Sequence, residues 1–243
     1  MCRMCRKDLH HPLAPTRRNM LLGAAAAGLF WVNSVHAKET RPPPKPENVL
    51  SPDASLKRLM EGNQRYVGGL ALRHDFKHER EALAGGQNPY AAILSCADSR
   101  IAPEYAFDSG RGDLFVCRVA GNFATEETVA SLEYAVAILA VPLILVLGHD
   151  ACGAVDATIK SLKDGKPLPG HMPSLVAGLA PSVNAVAGQA GNTLDNAIRQ
   201  NVIDNVAKLK AATPILSAAV EQNKLKVVGG IYRLKDGKVD MVA

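Results

Sequence analysis

Aromatic residues are scarce in this chain: Phe, Tyr and Trp together supply 5% of its 243 residues, with a single Trp. Beyond residue 37 no basic run is interleaved with aromatics, so the usual footprint of a nucleic-acid surface is missing. Apolar runs are short as well. Residues 21–32 form a 12-residue apolar stretch, well below the ~20 residues a helix needs to span a bilayer. No cysteine directly follows that stretch to offer an attachment point for a lipid, so no stable membrane anchor is expected. There is no internal repeat. At 243 residues the chain is long enough for one α/β domain with a sizeable core.

Charge is unevenly placed. Residues 1–37 carry +4 of the formal +5 (Arg3, Arg6, Lys7, Arg17 and Arg18 against Asp8), which leaves the remainder nearly neutral. A charged start, a short apolar region and Val35-His36-Ala37 before Lys38 describe a bacterial export signal cleaved near Ala37. The Arg17-Arg18 pair points to the twin-arginine route and a periplasmic destination. Residues 38–50, rich in proline through Pro42, Pro43, Pro44 and Pro46, read as a stiff linker. Residues 51–243 form the domain.

Cysteine is limited too. Five are present, and Cys2 and Cys5 fall in the discarded signal, leaving Cys96, Cys117 and Cys152. In an oxidising compartment Cys96 and Cys152 could pair as a disulfide. The twin-arginine route exports folded proteins, so a metal could instead be loaded before the thiols meet oxidant. Cys117 lies in Leu114-Phe115-Val116-Cys117, which reads as a buried strand, with the thiol as a small core hydrophobe.

The periodicity alternates between strand and helix. Ser51-Pro52-Asp53 opens a helix with a cap and an early proline, and Leu56, Leu59, Met60 and Val67 share one face. Thr125 opens a second, with Glu126 and Glu127 in its first turn and Leu132, Ala135, Val136 and Leu139 on its buried side. Further helices are expected from Gly153, over 172–188 and over 193–212. Strand-like 225–231 then turns at Lys235-Asp236-Gly237 into 239–242. Residues 91–94 and 143–147 are short apolar runs of the kind that form buried parallel strands. The pattern predicts an α/β fold: a single domain with a central, mainly parallel β-sheet flanked by helices.

Each of those two apolar runs leads into chemistry. The first precedes Cys96-x-Asp98-x-Arg100 and the second precedes His149-x-x-Cys152. Two thiols and one imidazole are three donors, the number a catalytic zinc uses when its fourth position stays open. Ligands of open α/β sheets bind beyond the carboxyl ends of the strands, where both motifs fall.

These motifs resemble the β-class carbonic anhydrases. The matching blocks, in that family's order, are Ser95-Cys96-Ala97-Asp98-Ser99-Arg100, Arg118-Val119-Ala120-Gly121-Asn122, residues 131–136, residues 148–154 and Gly229-Gly230-Ile231-Tyr232. The resemblance implies reversible hydration of carbon dioxide to bicarbonate and a proton, by attack of zinc-bound hydroxide, with one Zn2+ per chain on Cys96, His149 and Cys152. It implies that Asp98, paired with Arg100, orients the hydroxide, whereas Asp98 released from Arg100 could take the fourth coordination position; the open arrangement is the one expected. Gln87 matches an amide that holds substrate oxygens, and Phe115, Ala120 and Tyr134 match an apolar CO2 pocket. Gly121 gives close backbone approach beside them. Some bacterial members have an inhibitory bicarbonate pocket built on a tryptophan, an arginine and a tyrosine. This chain keeps Arg118 and Tyr232 but has Ile93 at the tryptophan position, which argues against that inhibition. His74, His78 and His171 are proton-shuttle candidates by residue type alone. The family's assemblies imply a homodimer or homotetramer. A linear sulfur analogue such as carbonyl sulfide as substrate, and a non-catalytic zinc- or bicarbonate-binding protein, are the alternative readings.

Overall fold

A computed structural model describes residues 44–243; the proposed export signal and the first part of the linker lie outside the described residues. From residue 45 the linker is docked on the domain. Lys45 Nζ meets Asp113 Oδ1 at 2.6 Å, the Asn48 amide donates to the same carboxylate oxygen at 2.9 Å, and Pro46–Asn48 forms a 3-10 turn. These polar contacts on one buried aspartate outweigh the stiffness that proline composition alone implies.

Ser51 caps helix α1 (Pro52–Val67), accepting the Ala54 N–H on its hydroxyl, with Pro52 at the first helical position. Helix α2 (Phe76–Leu83), capped by Asp75, leads to strand β1 (Ala91–Ser95). The one-turn α3 (Pro103–Ala106) then precedes β2 (Leu114–Arg118). Thr125 and Thr128 exchange hydrogen bonds in a capping box at the start of α4 (Glu126–Ala137). Next come β3 (Leu143–His149), α5 (Gly153–Asp164), α6 (Pro173–Ala185) and α7 (Thr193–Lys210). Helix α8 (Ile215–Glu221) and the hairpin β4 (Lys226–Tyr232) and β5 (Val239–Met241) complete the chain. The expected helices and strands are present; α2, α3 and α8 are additions that the apolar spacing does not announce.

The strands form one sheet in the order β2-β1-β3-β4-β5, parallel except for β5. Every residue of β1 and β3 is buried, which explains why both read as continuous apolar runs rather than alternating ones. Ala92 and Leu94 face a core shared with α4 to α8, whereas Ala91 and Ile93 face one shared with α1 and α3. Strand β2 corrects the expectation of a buried strand around Cys117. Its residues are half-buried or exposed because it is the sheet's edge, hydrogen-bonded among the described residues to β1 alone. Among the described residues no helix is long and apolar enough to cross a membrane.

Candidate metal centre

The chain leaves β1 toward β2 on one side and later returns to β3 on the other, so the direction of winding reverses between β1 and β3. Such a switch point opens a crevice at the carboxyl ends of the strands. The parallel register pairs Ser95 with Leu147, so Cys96, one residue beyond β1, lies beside the end of β3, which closes on His149. Cys152 is the N-cap residue of α5, where the helix dipole favours a thiolate.

The donor atoms of Cys96, His149 and Cys152 lie within 4.8 Å of one another, and all three side chains are buried. Tetrahedral zinc–sulfur and zinc–nitrogen bonds would set them about 3.6–3.8 Å apart, a small contraction. His149 shows the fit most directly. Its Nδ1 meets the Asp150 carbonyl at 2.8 Å, and a carbonyl only accepts, so the proton sits on Nδ1. Nε2 is left as a buried atom without a hydrogen-bond partner among the described residues. A buried polar atom left unpaired costs about 1–3 kcal/mol, and a metal ion would satisfy this one.

The two thiols shift one another's titration in opposite directions. The neighbouring Cys152 thiol pulls the Cys96 thiol far below its ordinary range, while Cys96 and burial push Cys152 up. Burial works against charging His149, but the adjacent Cys96 sulfur and Asp98 outweigh it and raise its pKa. These directions favour a thiolate beside the His149 imidazole, where a cation would be held. The Gly121 N–H also points at Cys96 Sγ, at 3.3 Å.

Asp98 is held by Arg100: Nε donates to Oδ1 at 2.9 Å and Nη2 to Oδ2 at 2.7 Å. This pairing keeps the carboxyl well below the usual carboxylate range. Oδ2 lies 3.8 Å from His149 Nε2, so the charge stands at the rim of the metal group. Arg100 reaches the Ala151 carbonyl as well, tying the two motif loops together.

From sequence, Arg118 is legible only as a candidate for a second anion pocket. Its guanidinium is committed to the carbonyls of Cys96, Asp98 and Ile101 at 3.0, 2.7 and 2.9 Å, and the Tyr232 hydroxyl is paired with Tyr66. Arg118 therefore holds the loop that carries Cys96, Asp98 and Arg100.

The expected substrate residues divide into two groups. Ala120 and Gly121 stand in the turn after β2, beside Cys96. Gln87, Phe115 and Tyr134 do not meet the metal group of their own chain. Gln87 is exposed before the start of β1, at the opposite end of that strand from Cys96. Phe115 pairs with Ala92, four residues before Cys96, or about 13 Å along the strand. Tyr134, 47% exposed on α4, packs its ring 6.3 Å from that of Phe115. Of the shuttle candidates, His74 contacts Glu79 and His78 contacts Asp75, both on the α2 side of the molecule. A cavity of about 660 Å³ between His74, Tyr105 and Leu114 includes none of the metal-group residues in its lining.

A family model described as carbonic anhydrase matches residues 91–239. Carbonic anhydrase 2 of Mycobacterium tuberculosis is 41% identical over 189 residues, covering 77% of this chain and 91% of that protein. The carbonic anhydrase of Mycolicibacterium smegmatis is 39% identical, covering 79% and 93%. The β-carbonic anhydrase CcaA superposes with a TM-score of 0.60 at 27% identity, over 77% of this chain and 98% of that one. Tetrameric β-carbonic anhydrases from Sordaria macrospora give 0.61 at 25% identity, over 79% and 95%. With the sheet, the donor group and these likenesses in agreement, the chain belongs to the β-class carbonic anhydrase family of enzymes.

Proposed function

We propose that this enzyme hydrates carbon dioxide reversibly to bicarbonate and a proton, with one zinc per chain held by Cys96, His149 and Cys152. The observation that carries this reading is the buried, unpaired His149 Nε2 within 4.8 Å of two thiols. A zinc ion there supplies the Lewis acidity that makes a water nucleophilic near neutral pH, the general role of zinc in carbonic anhydrases. Two thiolates offset more of the ion's charge than neutral imidazoles do, so activity is expected to favour the alkaline side.

The remaining work belongs to this chain's side chains. Asp98, clamped by Arg100, would accept a hydrogen bond from the attacking water and orient it toward CO2. Arg100 keeps the carboxylate at the rim of the group. Ala120 and the Gly121 backbone form the near wall of the substrate site. Gln87, Phe115 and Tyr134 act on the metal group of a second copy. The support for this is the open β2 edge, flanked by Tyr134 at 47% exposure and Ile138 at 66%, a face suited to burial against another chain. The assembly proposed is a homodimer or a homotetramer.

Zinc content and CO2 hydration measured on one purified sample test the reading. About one zinc per chain with activity rising from pH 7 to 9 is expected; a fully metallated but inactive protein over that range refutes catalysis.

Periplasmic export through Arg17 and Arg18 is part of the same proposal. Changing both to lysine is expected to retain uncleaved protein in the cytoplasm, whereas residues 38–243 alone fold and bind zinc. Unchanged periplasmic recovery of the double variant, measured by fractionation, assigns the signal to another route.

A further inference from the structure

The loop over residues 119–124 is anchored from two directions. Its first half is stitched to the end of β1 on both sides of Cys96: Val119 N–H donates to the Ser95 carbonyl at 3.1 Å, and Ala97 N–H donates to the Val119 carbonyl at 3.2 Å. Asn122 N–H closes a turn onto the same Val119 carbonyl at 3.0 Å, with Gly121 at φ +85° in the position where a type II turn requires a positive φ. A Cβ at Gly121 would also lie 2.8 Å from Leu179. This geometry is what turns the Gly121 N–H toward Cys96 Sγ.

The second half is held by α7. Asn201 Nδ2 donates to the Gly121 carbonyl at 2.8 Å, and Asn205 Oδ1 accepts the Ala124 N–H at 2.7 Å. Both side chains are buried, with 1% and 6% exposed. Asn205 Nδ2 donates to Asn201 Oδ1 at 2.9 Å, which fixes the Asn201 amide the right way round. A flipped Asn201 would set its oxygen against the Gly121 carbonyl and its nitrogen against the Asn205 donor. Each amide therefore has one allowed orientation, one helical turn apart on the same face.

We propose that Asn201 is a positioning residue for the metal group: by holding the Gly121 carbonyl it fixes the backbone of Gly121, whose own N–H meets the sulfur of Cys96. The N–H···S hydrogen bond withdraws charge from the thiolate and so weakens it as a donor. Asn201 thereby restores part of the Lewis acidity that two thiolates remove. This rests on the metal reading above; a merely structural pair of asparagines would satisfy the loop without affecting the sulfur.

The test uses cobalt(II) in place of zinc, because a sulfur-to-cobalt charge-transfer band reports directly on the thiolate. In Asn201→Leu the band is expected to move to longer wavelength, as a sulfur without its hydrogen bond gives up charge more easily. The kcat of the zinc form is expected to fall about tenfold with KM little changed, at the lower end of losses for residues behind metal ligands. Val206→Ala, on the same helix and buried against Gly229, is expected to lower thermal stability without shifting the band. If Asn201→Leu does not fold, Asn205→Ala, which releases the Asn201 amide, is read on the same band with the same expected direction. An unshifted band in whichever variant carries cobalt, or an equal shift in Val206→Ala, overturns the role of Asn201 and leaves the metal reading standing. A parent protein that takes up no cobalt refutes the metal reading itself.

Discussion

Changing Cys152 to serine is expected to remove most of the zinc from the protein. A neutral hydroxyl is a poor zinc ligand at neutral pH, and metal binding requires deprotonated sulfur. The loss reaches beyond one bond. Cys152 also lowers the titration of Cys96, so its removal weakens the neighbouring sulfur as a thiolate donor too. With serine at 152, one thiolate and one imidazole remain, too few to close the group. The fold is expected to survive, because serine is smaller than cysteine and the position caps α5, where serine is among the favoured residues. Elemental analysis beside circular dichroism checks both halves; full zinc occupancy in the variant would sink the ligand assignment.

Asp98→Asn is expected to separate catalysis from binding. The amide keeps the shape of the carboxylate but loses the charge that meets Arg100 at two nitrogens. Zinc stays near one per chain, since Asp98 is not among the three buried donors. Hydration is expected to fall by ~10²-fold or more, the scale for losing a positioned proton-transfer or orienting group. The pH profile supplies a second check. Arg100 depresses the Asp98 pKa, so Asp98 is ionised throughout pH 7 to 9 and protonates only well below that window. A rise in the parent's activity across the window therefore belongs to the nucleophilic water rather than to Asp98, and its midpoint should persist in the variant at lower amplitude. A variant with full zinc and full hydration rate removes Asp98 from the mechanism.

The pattern of residues carried the framework. Continuous apolar runs at 91–94 and 143–147 identified the two central strands because strands covered on both faces have no polar side to show. Ser51 and Thr125 marked helix starts because an N-cap hydroxyl satisfies amides that no helical carbonyl can reach. The Cys96, His149 and Cys152 group was legible because each residue sits at or just past a strand end or at a helix cap. Helix α2 was not legible: none of its eight residues is buried, so Phe76–Leu83 shows no apolar face to read.

Other roles depended on distance across the chain. Arg118 serves three carbonyls between residues 96 and 101, and Asn201 reaches Gly121 from 80 positions away. Side-chain bonds to backbone leave no residue-type signature at the receiving end, because every residue has a carbonyl. Resemblance groups Gln87, Phe115 and Tyr134 with the metal donors, and the single chain keeps them away from that group instead.

The sequence by itself determined the donor set, the charged pair beside it and the α/β alternation, since each rests on local spacing and hydrophobic pattern. The tertiary structure decided which sulfur receives a hydrogen bond, which guanidinium meets Asp98 and which meets backbone carbonyls, and that Gln87, Phe115 and Tyr134 stand apart from the Cys96, His149 and Cys152 group of their own chain. Those depend on register between β1, β2 and β3 and on how α7 packs over the loop at 119–124, and strand register is fixed only when the whole core closes.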